Sequence, residues 1–470
     1  MALHVPCLAQ TIAITQLKDA KTIEVSPIEL SESEVRFQFQ GRDFTISLEQ
    51  LTPDSRERLQ QWHQQEHAAD QSSDAAINQA VGLPLFSAKT ELWQEPAAQV
   101  ARRLGWPVES TTKGTLSYRK YPGSDDRFLG ARPYCGTLYG DAKDKTGSLS
   151  VVFANKGDFN SALGRGEDHF MKMVDGNQVD MTLNEAIERD ATTIATLLRE
   201  ALGEPVEQRY GEKEDRRDVL RWDHRNHAFI LSERENEYTY LLVVDRATAD
   251  REGKVDFIKD SDFRDLLETN VSKEENGDVV ITNIPMVDQG PKGYCAPATF
   301  ERAMRYMNVP ADMYLLATLA TAPTGGTRTS VLAEEAKRII SSKARRIREL
   351  ELEEDLDVRL VQRYIDKGVP ILWQMASVDE YNEAANDLTR QRATVQDIDE
   401  WAKQVESAAQ DLIPTLSNKS KHHICLIIGY NEKTSEIAVS DSWGPSYALR
   451  WIPVSAAKAV TTSGGFVIDL

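Results

Sequence analysis

The sequence predicts a multidomain α+β protein, and three observations carry that reading. The chain has 470 residues, enough at about 150 residues per domain for some three cores. Strand-type alternation and helix-type periodicity both occur, in segments set apart by polar stretches. From Val279 onward the texture changes to a glycine-punctuated turn, a helix start and a continuous apolar run. With 41% apolar and 27% charged residues the composition is that of an ordinary globular protein. No repeat of about 20–50 residues stands out, which argues against a solenoid. No run of about 18 apolar residues occurs, so no membrane span is expected. The 74 acidic and 55 Lys and Arg side chains give a net charge of −19. That balance argues against a general nucleic-acid binder, because phosphate affinity needs clustered cations.

Residues 1–66 read as a small β module. Val35, Phe37 and Phe39 alternate with polar residues, Gly41 breaks the run, and Phe44, Ile46 and Leu48 resume it, giving a hairpin with one buried face. Thr52-Pro53 then opens a short helix, with Thr as N-cap and Pro in the first turn. This order of strands, Thr-Pro-Asp and a helix containing Trp62 resembles the SH3-like, Sla-homology-type modules that some bacteria attach to exported proteins. The small polar stretch 67–78 reads as a linker.

Residues 79–250 read as an α+β domain of no assignable chemistry. Leu149–Phe153, Ala228–Ser232 and Tyr238–Val244 are strand-like. Between them a helix is expected over Thr182–Leu202. Thr182 and Glu185 form a capping box, Leu183, Ile187, Ile194, Leu197 and Leu198 an apolar stripe, and Gly203 and Pro205 the stop. Residues 251–279 read as a charged connector with a short helix from Ser261 to Leu267. Residues 280–470 form the last domain.

The chemistry is concentrated there. Val287-Asp-Gln-Gly-Pro-Lys-Gly-Tyr-Cys-Ala-Pro-Ala ends a strand-like run in a turn, and a helix starts at Cys295. A thiol at a helix N-terminus faces unpaired N–H groups and the positive end of the dipole, both of which favour the nucleophilic thiolate. Gln289, across the turn, is placed to offer an amide that joins the Cys295 N–H in an oxyanion hole. A nucleophilic cysteine needs a base oriented by a third group. Lys421-His-His-Ile-Cys-Leu-Ile-Ile-Gly-Tyr supplies the base: Ile424–Ile428 is a buried strand, and His423 opens it. An antiparallel return over Ile437–Ser440 brings Asp441 back beside His423, where it holds the imidazole tautomer.

Gln289 before Cys295, His423 before Gly429-Tyr430, and Asp441-Ser-Trp-Gly together resemble the papain-like cysteine peptidases, most of all the bacterial leader-peptidase-type branch. His423 lies about 130 residues beyond Cys295, as in papain-type chains. The resemblance covers residues 280–470. It implies a helical lobe plus antiparallel sheet, Cys295 as nucleophile, His423 as base, Asp441 as orienter and Gln289 as oxyanion donor, with Gly293, Tyr294 and Trp443 lining the substrate site. Two departures stand out. Lys292-Gly-Tyr-Cys-Ala replaces the Cys-Gly-Ser-Cys-Trp of eukaryotic enzymes, and Asp441 stands where they carry Asn. The helix Val358–Lys367, the strand after Gly368 and the polar, helix-prone insertion 378–418 also suit the family, the insertion as a rim above the cleft.

The expected function is therefore a thiol hydrolase cleaving peptide bonds, with a peptide or protein as partner, no metal and no cofactor. A transglutaminase-like acyl transferase and a non-catalytic scaffold on a peptidase fold are the alternatives. Cys7, Cys135 and Cys425 have no partner motif and read as structural. His224-Arg-Asn-His227 reads as a surface turn, Gly325-Gly326 as a loop hinge, and Lys343–Arg348 as a solvated helix end. The N-terminus has no Lys or Arg before Lys18 and is no intact signal peptide. The chain is cytosolic or begins after a removed leader; an exported, periplasmic or extracellular location is favoured.

Overall fold

The computed structural model describes residues 11–31, 33–87, 90–160, 168–212, 216–254, 258–291, 293–320, 327–416 and 419–470. Cys7 and Gly325-Gly326 lie outside the described residues, as does Lys292 of the cysteine turn. The secondary structure is mixed, 39% helix and 33% strand, and the strands pair antiparallel with helices set apart from them, which is α+β. The chain divides into two compact units, one of Met1–Gln79 with Phe86–Lys89 and one of Ala80–Leu85 with Thr90–Leu470. The segments 79–250 and 280–470, read above as separate domains, thus share one compact unit. No described helix is long and apolar enough to cross a membrane.

The first unit carries an antiparallel meander of four strands, Ile12–Thr15, Thr22–Leu30, Glu34–Phe39 and Arg42–Ser47, paired in sequence order. Its core is Ile12, Ile14, Val25, Val35, Phe37, Leu51 and Leu59. The expected hairpin is the last pair, with Val35 opposite Ile46 and Phe37 opposite Phe44. Phe44, expected inside, is 45% exposed. It sits on the edge strand, its ring 6.0 Å from Phe37 and 6.4 Å from Phe39. The helix after Thr52 is far longer than expected, Pro53–Val81, and includes the supposed linker 67–78. No Gly or Pro interrupts it between Asp54 and Val81, and Gly82, at φ 79°, follows its end.

In the second unit, eight antiparallel strands form one sheet in the spatial order Val206–Tyr210, Arg217–His224, His227–Arg234, Tyr238–Asp245, Thr146–Asn155, Cys135–Asp141, Thr115–Lys120, Val108–Thr111. Helix Leu183–Leu202 packs on it through Ala186, Ile187, Ala191, Ile194, Ala195 and Leu198, behind the expected Thr182–Glu185 capping box. His224 and His227 flank a hairpin turn, but they are 5% and 1% exposed, so they are not on the surface. Each ends a strand, and strand geometry turns both rings inward, where they stack at 6.0 Å.

The other sheet runs Val271–Lys273, Asp278–Ile281, His422–Asn431, Ile371–Ala376, Thr461–Asp469, Arg346–Leu350, while Glu436–Ser440 pairs with His422–Asn431 and with Arg450–Pro453. His422–Asn431 is its hub, nearly all buried, as its unbroken apolar run demands. Gly429 sits where a Cβ would come within 2.6 Å of the Val279 carbonyl oxygen, so only glycine lets these strands meet. Helices Cys295–Tyr306, Met313–Ala320 and Thr329–Ser342 make the helical part, and Asp379–Arg392 and Ile398–Leu412 form the insertion. Arg345, expected in a solvated cluster, is 3% exposed. Its guanidinium lies 4.4 Å from the Phe263 ring centre and bonds Asp260 at 3.1 Å.

Candidate active site

Cys295 opens its helix, as the turn before it dictates: Gly293 adopts φ 78° and Pro297 falls in the first turn. The thiol is half-buried. The His423 side chain and the backbone N–H groups of Ala296 and Ile424 lie near enough to the sulfur to favour its ionised form. Burial alone raises the thiol pKa, but these groups and the imidazole charge outweigh it and hold Cys295 below its ordinary value. The N-terminus of the helix and the start of the central strand thus both favour charge on one sulfur.

His423 is the second residue of the hub strand, facing inward, while His422 before it is exposed. His423 Nε2 meets Asp441 Oδ1 at 2.8 Å, which leaves Nδ1 for the sulfur. The ring stacks on Trp443, centroids 4.8 Å apart and planes 30° from parallel. Burial lowers the imidazole pKa, yet Asp441 and Cys295 together raise it to about 9. The opposed shifts both work toward the thiolate–imidazolium form of the pair.

Asp441 follows the return strand, whose Ser440 pairs with Leu426 of the hub strand. It is 1% exposed. Burial raises its pKa, but the His423 hydrogen bond and the Arg450 guanidinium hold it below the usual carboxylate range. Arg450 Nη2 donates to Asp441 Oδ2, and Nη1 donates to Asn382 and Asn386 of the insertion at 3.1 and 3.3 Å. This arginine escapes the sequence reading because its place is set by Val439–Arg450 pairing across a connection that carries no motif. Arg302 escapes it too. From the cysteine helix, fully buried, it donates Nε to the Pro285 carbonyl at 2.9 Å and Nη1 to the Ser440 carbonyl at 3.1 Å. One guanidinium therefore ties together the chain entering the Gln289 turn and the chain entering Asp441. Thr299 adds a hydroxyl bond to the Ile424 carbonyl at 3.0 Å.

Gln289 is fixed through its backbone, its N–H donating to the Ser442 carbonyl at 2.8 Å. Its side-chain Oε1 is buried without a hydrogen-bond partner. Gly293 is exposed, and nothing lies within 4 Å of where its Cβ would be. Tyr294, expected at the substrate site, points elsewhere: it is 5% exposed, packs on Tyr314 at 5.0 Å and reaches Asn155. Its side chain fills core and is not available to a substrate. Among the described residues no group of three or more His, Cys, Asp or Glu is arranged to hold a metal ion.

Residues 281–460 match the model of the Peptidase_C39 like family. The matched stretch spans Gln289, Cys295, His423 and Asp441 and supports a cysteine-peptidase segment in this part of the chain. No curated protein matches the chain.

Proposed function

We propose that the C-terminal part of this protein is a papain-like thiol hydrolase that cleaves peptide bonds. The observation that carries the reading is the buried His423, held by Asp441 Oδ1 at 2.8 Å, acting on the Cys295 thiol at the start of its helix to lower its pKa. The Cys295 thiolate attacks the amide carbonyl carbon, and the oxyanion that forms is met by the Gln289 amide and the Cys295 N–H. Imidazolium His423 protonates the departing amine as the C–N bond breaks, leaving a thioester. Neutral His423 then takes a proton from water, whose oxygen attacks the thioester, and the thiolate leaves with the carboxylic acid released. Asp441, held ionised by Arg450, keeps the imidazole ring oriented throughout. The antiparallel meander of the first unit supports reading it as a small SH3-like accessory module.

The test is hydrolysis of a fluorogenic peptide library, with mass spectrometry of the acyl-enzyme. Activity lost in Cys295→Ala and in His423→Ala, with an acyl group trapped on Cys295 in the wild type, is the expected result. Hydrolysis that survives Cys295→Ala would overturn it.

A further inference from the structure

From the contacts along the edge of the eight-stranded sheet, we infer that this sheet is the template of the oxyanion turn, with Tyr121 and Glu109 as positioning residues for Gln289. The inference rests on the proposed acyl-transfer reading. The turn runs from Asn283 to Gly290, and the last hairpin of the sheet, from Glu109 through the loop at Lys113 to Tyr121 just beyond its second strand, holds it at successive points. The Lys113 N–H donates to Asn283 Oδ1 at 3.1 Å, and the Met286 N–H donates to Ser110 Oγ at 2.9 Å. The Asp288 N–H donates to Glu109 Oε1 at 2.8 Å, and the Tyr121 hydroxyl donates to the Asp288 carbonyl. That carbonyl belongs to the peptide bond whose N–H, on Gln289, donates to Ser442. The peptide plane entering Gln289 is thus clamped from both sides, by the sheet through Tyr121 and by the Asp441-Ser-Trp-Gly loop through Ser442.

Two further features indicate a built clamp rather than passing contact. Glu109 is 4% exposed and is itself held, Oε2 by Ser117 Oγ at 2.9 Å and Oε1 by Arg119 Nε at 2.5 Å. Gly290 adopts φ 66°, and a Cβ there would lie 2.8 Å from the Tyr121 ring. The chain therefore passes over the ring in a way open only to glycine. The Gln289 side chain, by contrast, has its Oε1 tied to nothing. The sheet fixes the backbone from which the Gln289 Nε2 donor, not this oxygen, would meet the oxyanion. A displaced oxyanion donor costs about 10²–10³ in rate when lost outright, so a residue that only aims it gives a fraction of that.

The experiment separates aiming from folding through two reactions of the full chain at one sulfur. Alkylation of Cys295 by iodoacetamide needs the thiolate but no oxyanion hole; acylation by p-nitrophenyl acetate needs both. Tyr121→Phe keeps the ring over Gly290 and deletes the hydroxyl bond. Its acylation rate should fall about tenfold, Gln289→Ala about a hundredfold, and the double variant no further than Gln289→Ala alone, because the hydroxyl acts only through that amide. Iodoacetamide rates and melting temperature should stay at wild-type values in Tyr121→Phe. Glu109→Gln serves as the second variant, with melting recorded to exclude unfolding. An unchanged acylation rate in Tyr121→Phe, an additive loss in the double variant, or equal losses in both reactions would each overturn the inference. A wild type whose Cys295 is no more reactive than Cys135 would instead overturn the enzymatic reading itself.

Discussion

Replacing Arg450 with methionine keeps much of the side-chain volume while deleting a cation buried to 2% exposure. Asp441 then retains His423 but loses its second charged partner, and Asn382 and Asn386 lose their link to the strand Arg450–Pro453. Removing one member of a buried ion pair costs roughly 3–5 kcal/mol, mostly the penalty of the charge left behind. Because His423 still donates to Asp441, a loss of about 3 kcal/mol at pH 7 is expected. The pH dependence has a definite sign. Asp441 is held below the usual carboxylate range, so its contribution is complete above the unfolded value of about 3.9 and is lost as pH falls through the lower folded value. With Arg450 gone the folded pKa rises, and acidification destabilises the variant at a higher pH than the wild type. Hydrogen exchange of the Glu436–Ser440 and Arg450–Pro453 amides reads this locally, independent of whether the whole chain unfolds in one step. At neutral pH those amides should exchange roughly a hundredfold faster, with Arg450→Lys between variant and wild type. Equal protection in all three proteins, at neutral and acid pH alike, would refute the reasoning.

Other consequences are open to the same methods. Burial pushes the Cys135 thiol up to about 12 and the Cys425 thiol well above its ordinary value. In the native protein, peptide mapping after brief alkylation should therefore find Cys295 modified and Cys135 and Cys425 intact, all three reacting in urea. Native labelling of Cys135 as fast as Cys295 would contradict this. Arg392 reaches from the insertion to Asp278 at 2.7 Å and Glu436 at 2.9 Å, over the Trp451 ring at 4.0 Å. Arg392→Ala should cost roughly 3 kcal/mol, seen as faster exchange across 379–412, while the iodoacetamide rate of Cys295 is unchanged. A stable insertion in that variant would show that these ion pairs do not hold it.

Cys295, His423 and Asp441 were readable because each is punctuated locally: a glycine turn before a helix, a histidine at the head of an apolar strand, an acid at the end of the return. Antiparallel pairing then brings the last two together almost by arithmetic, and His423 and Asp441 are hydrogen-bonded. What could not be read is what depends on partners distant in the chain. Arg450 looks like any strand arginine until its neighbour strand is known, and Glu109 and Tyr121 meet the Gln289 turn from more than 160 residues away. The inward histidines 224 and 227 mark a subtler limit. The turn between them was legible, but whether a residue flanking a turn faces water depends on what covers that face of the sheet. The helix over 67–78 shows composition misleading in the other direction. Small polar residues suggest a linker, yet Ala, Gln and Asp without Gly or Pro allow a helix to run on.

The most direct test of the thiolate–imidazolium pair is the iodoacetamide rate of Cys295 as a function of pH, in the wild type and in His423→Ala. With Cys295 held low and His423 raised to about 9, the wild type should react fast at lower pH than a free thiol of about 8.5 and stay on a plateau until imidazolium is lost near pH 9. In His423→Ala, burial is opposed only by the Ala296 and Ile424 N–H groups, so the fast reaction should move up toward the free-thiol range of about 8.5. Superimposable profiles, both rising only near pH 8.5, would contradict the account.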